Sequence, residues 1–286
     1  MFLVYLLGTL FALIVGARFD VVRFLFVYVI LFTGTLSAMY NNNYNDVEID
    51  RHATQTFFSG GSRILVDHPE LRKTVKQLSL FFLAVSVLLG LIGTVIFSYP
   101  VTFFLFVLFG NVLGWYYTAP PLRLIYHGFG EIGTMIAVGL LIPGLGYFAL
   151  AGRIDTMYIP LLLPLLFQGF AVSFYLEIPD QEADRLGHKN TLVVRYGISF
   201  GFVIGVISSL CATLCFLSYV FLYITSGAIN YWFVTVFSLI PLFFGLYSII
   251  QYRIDKTKIK SLVFRSVASF FFFYILLICY FLYLLL

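Results

Sequence analysis

Two acidic runs concentrate the chemistry available to this chain. The first reads Asn42-Asn43-Tyr44-Asn45-Asp46-Val47-Glu48-Ile49-Asp50-Arg51, and the second Glu177-Ile178-Pro179-Asp180-Gln181-Glu182-Ala183-Asp184-Arg185. Asn42, Asp46 and Asp50 recur at i, i+4 and i+8; Glu177, Asp180 and Asp184 recur at i, i+3 and i+7. On a helix either set lies along one side, stacked over successive turns. Amide and carboxylate oxygens are hard ligands. They suit magnesium, which is usually held by one or two carboxylates plus phosphates and water. Two such faces opposed across a cavity would bring a pair of cations to a diphosphate and neutralise it as a C–O bond breaks. The competing account is two sets of solvated loop acids, neutralised by Arg51 and Arg185. Matched spacing in both runs favours metal binding.

The elements that must position these residues are membrane helices. Of the 286 residues, 61% are hydrophobic and 10% charged, and the mean hydropathy is +1.00. A soluble domain carries about 25% charged residues, so the chain reads as an integral membrane protein. A charge at a helix centre costs about 2.5–3.5 kcal/mol, so acids beside the bilayer point to function. A span needs roughly 20 apolar residues. With charges and breakers as punctuation, about nine spans emerge, at 2–16, 21–44, 76–98, 100–118, 130–151, 157–178, 198–224, 230–251 and 265–286. The apolar runs are continuous rather than alternating, which excludes a β-barrel. The expected fold is therefore all-α, a polytopic bundle around a central cavity, with residues 1–286 forming one domain. Met1 to Val15 has no basic segment ahead of it and no small-residue cleavage site after it, so it reads as a first membrane helix rather than a signal peptide.

Nine spans place Arg18, Arg23 and Arg153 on one side of the membrane and every other Lys and Arg on the opposite side. That asymmetry puts the N-terminus outside and both acidic runs on the cytoplasmic side. The two longest polar connections, 45–75 and 179–197, carry the runs and would lie over the site. Pro143 and Pro164 fall inside spans, where neighbouring helices can satisfy the freed backbone groups. Cys211, Cys215 and Cys279 lie in apolar stretches and read as packing residues; no Cys/His spacing points to zinc.

Asn42-x3-Asp46-x3-Asp50 resembles the first aspartate-rich motif of the UbiA superfamily of intramembrane prenyltransferases. Asp180-x3-Asp184, followed by Gly187-His188-Lys189-Asn190-Thr191-Leu192-Val193-Val194-Arg195-Tyr196-Gly197, resembles its second motif, with His188 inserted between the Gly and the Lys. Tyr117-Thr118-Ala119-Pro120-Pro121-Leu122-Arg123-Leu124, continuing through Tyr126-His127-Gly128-Phe129-Gly130-Glu131, is similar to the branch that prenylates dihydroxynaphthoate on the way to menaquinone. So is Ser59-Gly60-Gly61-Ser62-Arg63.

The resemblance implies Mg2+ held by Asn42, Asp46, Asp50, Glu177, Asp180 and Asp184, binding the diphosphate of an isoprenyl donor. Lys189 is the best match for a basic residue assisting there, with Arg63 and Arg123 as further candidates. An electron-rich aromatic acceptor would attack the allylic cation in a site of low dielectric. Tyr117 would face the reacting centre or belong to an interfacial aromatic belt. His127 and Glu131, at i and i+4, would orient or deprotonate the acceptor hydroxyl, or form a surface pair. Lys256, Lys258 and Lys260 read as a topology-setting loop against anionic lipid headgroups. No nucleic-acid partner is expected.

Three other functions compete. CDP-alcohol phosphotransferases also use spaced aspartates, but the Asp-Gly-x2-Ala-Arg opening of their motif is missing here. A transporter would place its acids near the bilayer midplane rather than at span ends. A prenyltransferase acting on a glycerol-phosphate lipid would keep the same motifs and differ only in acceptor.

Overall fold

The structure, a computed structural model, describes residues 1–53, 55, 57, 61–222 and 228–286; Ser59 and Gly60 of the Ser59–Arg63 segment lie outside the described residues. Its elements are helical: α1 (Phe2–Ile14), α2 (Val21–Asn45), α3 (Val47–His52), α4 (Ile64–Asp67), α5 (Arg72–Ile96), α6 (Val101–Tyr116), α7 (Gly130–Ile136), α8 (Ile142–Ala151), α9 (Ile159–Glu177), α10 (Gln181–Leu186), α11 (Leu192–Tyr196), α12 (Ile198–Phe221), α13 (Tyr231–Ile254) and α14 (Ile259–Leu285). A π-helical turn, Ala137–Leu141, joins α7 to α8 into one apolar rod just ahead of Pro143. Pro143 has no N–H to donate, and a π turn absorbs the register change.

Among the described residues seven helices are long and apolar enough to cross a membrane. The other two apolar helices, α1 and α6, have 13 and 16 residues. At 1.5 Å per residue they reach roughly 20 and 24 Å, short of a hydrocarbon core of about 30 Å. The nine expected spans thus resolve into seven of full length and two short ones. Several helices extend past the expected ends: α5 begins at Arg72 rather than 76, α13 runs to Ile254 and α14 begins at Ile259. Lys and Arg are good helix formers whose stems lie along apolar surface, so charge marks the membrane boundary without ending the helix.

Packing is close where side chains are smallest. A Cβ at Gly8 would overlap the carbonyl of Pro143, and one at Gly146 would overlap the carbonyl of Tyr5, so α1 and α8 cross backbone to backbone. Thr9 adds a bond to the Gly146 carbonyl at 3.3 Å. Small residues and hydroxyls are the usual contacts between membrane helices, because lipid supplies no hydrophobic drive toward association. One large apolar core joins α1, α8, α9, α12, α13 and α14, and a second joins α1, α2, α6 and α8.

The polar connections are not bare loops. They fold into α3 and α4 on one side and α10 and α11 on the other. Ile49, Ala53 and Ala183 bury against one another with Tyr126 beside them, so α3 docks on α10. This contact brings the two acidic runs to one place.

Candidate active site

The first run is not one continuous helix. α2 ends at Asn45, and Asp46 (φ −99°, ψ 14°) separates it from α3. The Asn45 amide bonds back to the Asn41 carbonyl and side chain at 2.8 and 3.1 Å, the kind of local bonding by which Asn weakens a helix. The register still carries across, because the Asp50 N–H donates to the Asp46 carbonyl at 2.9 Å. In the second run α9 stops at Glu177 and α10 starts at Gln181.

All six expected ligand residues meet. Asn42, Asp46, Asp50, Glu177, Asp180 and Asp184 line one polar cavity of about 600 Å³, together with Lys189, Tyr117, Thr134, Gly61 and Ser62. Its first wall is well supplied with donors. Thr118 donates to Asn42 Oδ1 at 2.8 Å, and the Tyr126 hydroxyl donates to Asp46 Oδ1 at 2.8 Å. Lys189 bridges the two motifs, its Nζ lying 3.0 Å from Asp46 Oδ2 and 3.5 Å from Asp184 Oδ1. The inserted His188 makes this possible. It adopts a left-handed φ of 60°, and the turn closes with the Lys189 N–H on the Asp184 carbonyl at 2.8 Å.

Burial and charge set the protonation states. Burial alone would discharge Lys189, but the Asp46 and Asp184 carboxylates outweigh it and raise its pKa. Burial raises Asp184, with Lys189 pulling the other way. Asp50 is pushed up to about 6 by burial and by the Asp46 carboxylate, against Lys189 and Arg63. Burial and Asp46 together also raise the Tyr126 phenol, so it donates as a neutral hydroxyl.

The second wall differs. Glu177 is buried beside Glu131, and apart from that second acid neither of its oxygens meets a hydrogen-bond donor. Two adjacent buried acids cannot both ionise without a counter-charge, so they share a proton or take up a cation. Among the described residues no three His, Cys, Asp or Glu side chains gather as a self-sufficient metal centre.

The remaining sequence candidates lie around this cavity rather than in it. Arg63, at φ 58°, donates to the Asp50 carbonyl at 3.2 Å, and its charge bears on the Asp50 carboxylate. Arg123 is exposed, with its guanidinium 5.1 Å over the Tyr126 ring. The expected His127–Glu131 pair does not form, because Gly128 at φ 79° turns the chain between them. His127 is exposed, and its carbonyl accepts from Arg195 at 3.1 Å. Glu131 is fully buried, and its Oε1 accepts from the Leu192 N–H at 2.5 Å while Oε2 meets no donor. Gly61, at φ 65°, packs so close that a Cβ there would strike the Asp50 carboxylate.

Sequence reasoning gave no role to Thr118, Tyr126 or Thr134. Thr118 and Tyr126 reach partners 76 and 80 residues away, so no local spacing signals them.

A second, largely apolar cavity of about 250 Å³ adjoins the first. Ile30, Leu31, Gly34, Ala38, Val107, Leu141 and Leu145 are among its walls. Asn42, Tyr117 and Thr134 line both cavities, with the Tyr117 hydroxyl 3.3 Å from Thr134 Oγ1. From Asn42 to Ile30 along α2 is roughly 18 Å at 1.5 Å per residue.

The family model for the UbiA prenyltransferase family matches residues 1–276. The chain belongs to the UbiA prenyltransferase family. Among curated proteins it is similar to the 1,4-dihydroxy-2-naphthoate octaprenyltransferase of Bacillus subtilis (strain 168), 26% identical over 242 residues, which cover 84% of this chain and 74% of the relative. Two solved structures share the fold at 16% identity. A digeranylgeranylglyceryl phosphate synthase aligns with a TM-score of 0.66, covering 98% of this chain and 93% of that one. A UbiA homologue from Archaeoglobus fulgidus, bound to GPP and Mg2+, aligns with a TM-score of 0.64, covering 99% and 95%. This UbiA-family chain is therefore an all-helical membrane prenyltransferase. Its paired aspartate motifs converge on the polar cavity just described.

Proposed function

We propose that this chain transfers an isoprenyl group from an isoprenyl diphosphate to an aromatic acceptor of the dihydroxynaphthoate type, with Mg2+, at a site facing the cytoplasm. One observation carries the donor class. A polar cavity rich in carboxylates, with one bridging ammonium, shares Asn42, Tyr117 and Thr134 as common lining with an adjoining apolar cavity. An amphiphile with an anionic head and a hydrocarbon tail matches both halves.

Asn42, Asp46, Asp50, Glu177, Asp180 and Asp184 would hold the metal, which when bound supplies positive charge to the diphosphate. Lys189 adds a donor that stays protonated, and Arg63 braces Asp50 through its carbonyl. The C1–O bond breaks with its electron pair leaving on the diphosphate. Tyr117 and Thr134 stand at the boundary of the two cavities, where C1 would lie, and their apolar surroundings would keep water from the allylic cation. The acceptor's ring carbon supplies the pair for the new bond and then loses its proton. Arg123 and His127 do not line the cavity. Glu131 would act from behind the wall, holding α11.

The acceptor rests on the naphthoate-prenylating relative and on the Tyr117–Glu131 segment. A glycerol-phosphate lipid is the second reading, favoured by the likeness in fold to the digeranylgeranylglyceryl phosphate synthase. The test is transfer of labelled geranylgeranyl diphosphate in membranes containing the chain. Dihydroxynaphthoate, hydroxybenzoate or geranylgeranylglyceryl phosphate is offered, with magnesium or EDTA. Label entering the naphthoate product only with magnesium is expected. Label in the glycerol-phosphate product would move the acceptor, and transfer in EDTA would remove the metal.

A further inference from the structure

On the same end of the bundle, away from the active-site cavity, a separate pocket of about 570 Å³ lies between the end of α2 and the start of α5. Tyr44, Glu70, Arg72, Lys73, Lys76, Gln77 and Leu80 form it. The Arg72 guanidinium and the Lys76 ammonium each sit 5.0 Å over the Tyr44 ring. The nearby acid, Glu70, is engaged by His68 at 3.1 Å. Among the described residues Arg72, Lys73 and Lys76 make no ion pair.

This arrangement is unfavourable inside the protein. Like charges at i and i+4 repel, and cations at a helix N-terminus oppose its dipole. Both costs become gains when an anion enters. The position says which anion. Leu80 and Phe81, about two turns further along α5, are exposed apolar side chains in a membrane-spanning helix. The three cations therefore sit where the apolar outer face of α5 ends, at the level of lipid phosphates, and basic pockets between membrane helices at that level bind anionic headgroups.

The geometry points to an anionic phospholipid site in this pocket, the lipid phosphate held by Arg72, Lys73 and Lys76 and the acyl chains lying along α5. Arg72 offers a fork of donors matched to two phosphate oxygens. Tyr44 lies two residues from both Asn42 and Asp46, so the bound lipid would fix the end of α2 from the side opposite the active site.

The test uses the full chain in phosphatidylcholine–detergent micelles, with thermal unfolding followed as phosphatidylglycerol is titrated in. The wild-type midpoint should rise and saturate, and added salt should weaken the effect. In the triple variant R72Q/K73Q/K76Q the half-saturating lipid concentration should rise about 100-fold, since each cation near the surface contributes about 1 kcal/mol. The variant K256Q/K258Q/K260Q removes an equal charge from another headgroup-facing loop, where Lys258 already pairs with Asp255, and should raise that concentration less than about tenfold. An unchanged titration in the first variant, or an equal loss in the second, would overturn the proposal. Inorganic phosphate giving the same rise at similar concentration would also overturn it, by assigning a free anion instead of a lipid. All three substituted residues are exposed, so loss of folding is not expected; far-UV circular dichroism before titration checks it.

Discussion

The two acidic motifs line one cavity but are held differently. Asn42 and Asp46 receive hydrogen bonds from Thr118 and Tyr126, both on the connection after α6. Apart from its neighbour Glu131, Glu177, across the cavity, receives none on either oxygen. The first motif is therefore pre-positioned by neutral donors. In the second, Glu177 faces another acid, Glu131, and Asp184 leans on the Lys189 ammonium. In the proposed reading the first motif would fix where a metal sits and the second would supply the electrostatic demand for it. Lys189 touches Asp46 and Asp184 and so couples the two walls.

That contrast can be broken most severely at the ligands. Asp46→Ala and Asp184→Ala should each lower prenyl transfer about 1,000-fold, about 4 kcal/mol of barrier, with helical content by circular dichroism unchanged. Near-normal turnover in either would separate that motif from the chemistry. Lys189→Met comes next. It leaves Asp46 and Asp184 buried without their shared counter-charge and should cost roughly 3 kcal/mol of stability in detergent without added metal. Added magnesium should restore more of that loss than it adds to wild type.

A smaller effect sharpens the comparison. Tyr126→Phe removes a donor from Asp46 and leaves Glu177 untouched, so magnesium affinity by calorimetry should fall 10- to 100-fold, on the order expected for a partner of a metal ligand. An unchanged affinity would mean that the first motif needs no bracing. The smallest effect is that of pH. Asp50 ionises at about 6 in the folded protein against an ordinary 3.8. The folded state thus keeps this proton longer than the unfolded chain, and without metal Asp50 costs stability as pH rises from about 4 to about 6. Magnesium needs the carboxylate, so the shift in thermal midpoint that it produces should grow as pH passes upward through about 6. A shift independent of pH between 5 and 7.5 would take Asp50 out of the metal shell.

The membrane class, the all-α fold and the two acidic runs that line one cavity were legible in the sequence. Hydropathy over 20 residues and oxygen ligands at helical spacing are local properties that survive any tertiary arrangement. The break at Asp46 was less legible, although the run of Asn residues carries its cause. Helix ends at Arg72, Ile254 and Ile259 lie beyond the expected spans, because charge marks the edge of the membrane while the backbone continues into water. The His127–Glu131 pair failed for a related reason: spacing predicts a shared face only when the intervening backbone is helical, and Gly128 is left-handed.

Only the tertiary structure decided that α3 and α10 dock through Ile49, Ala53 and Ala183, that Lys189 lies between Asp46 and Asp184, and that the polar cavity adjoins an apolar one at Tyr117. These contacts join residues far apart in the chain. They arise because burying a charge requires a partner from whichever helix packs nearest, and helix packing follows surface shape across the whole bundle. The sequence determined which chemistry was available; packing decided which side chains share it.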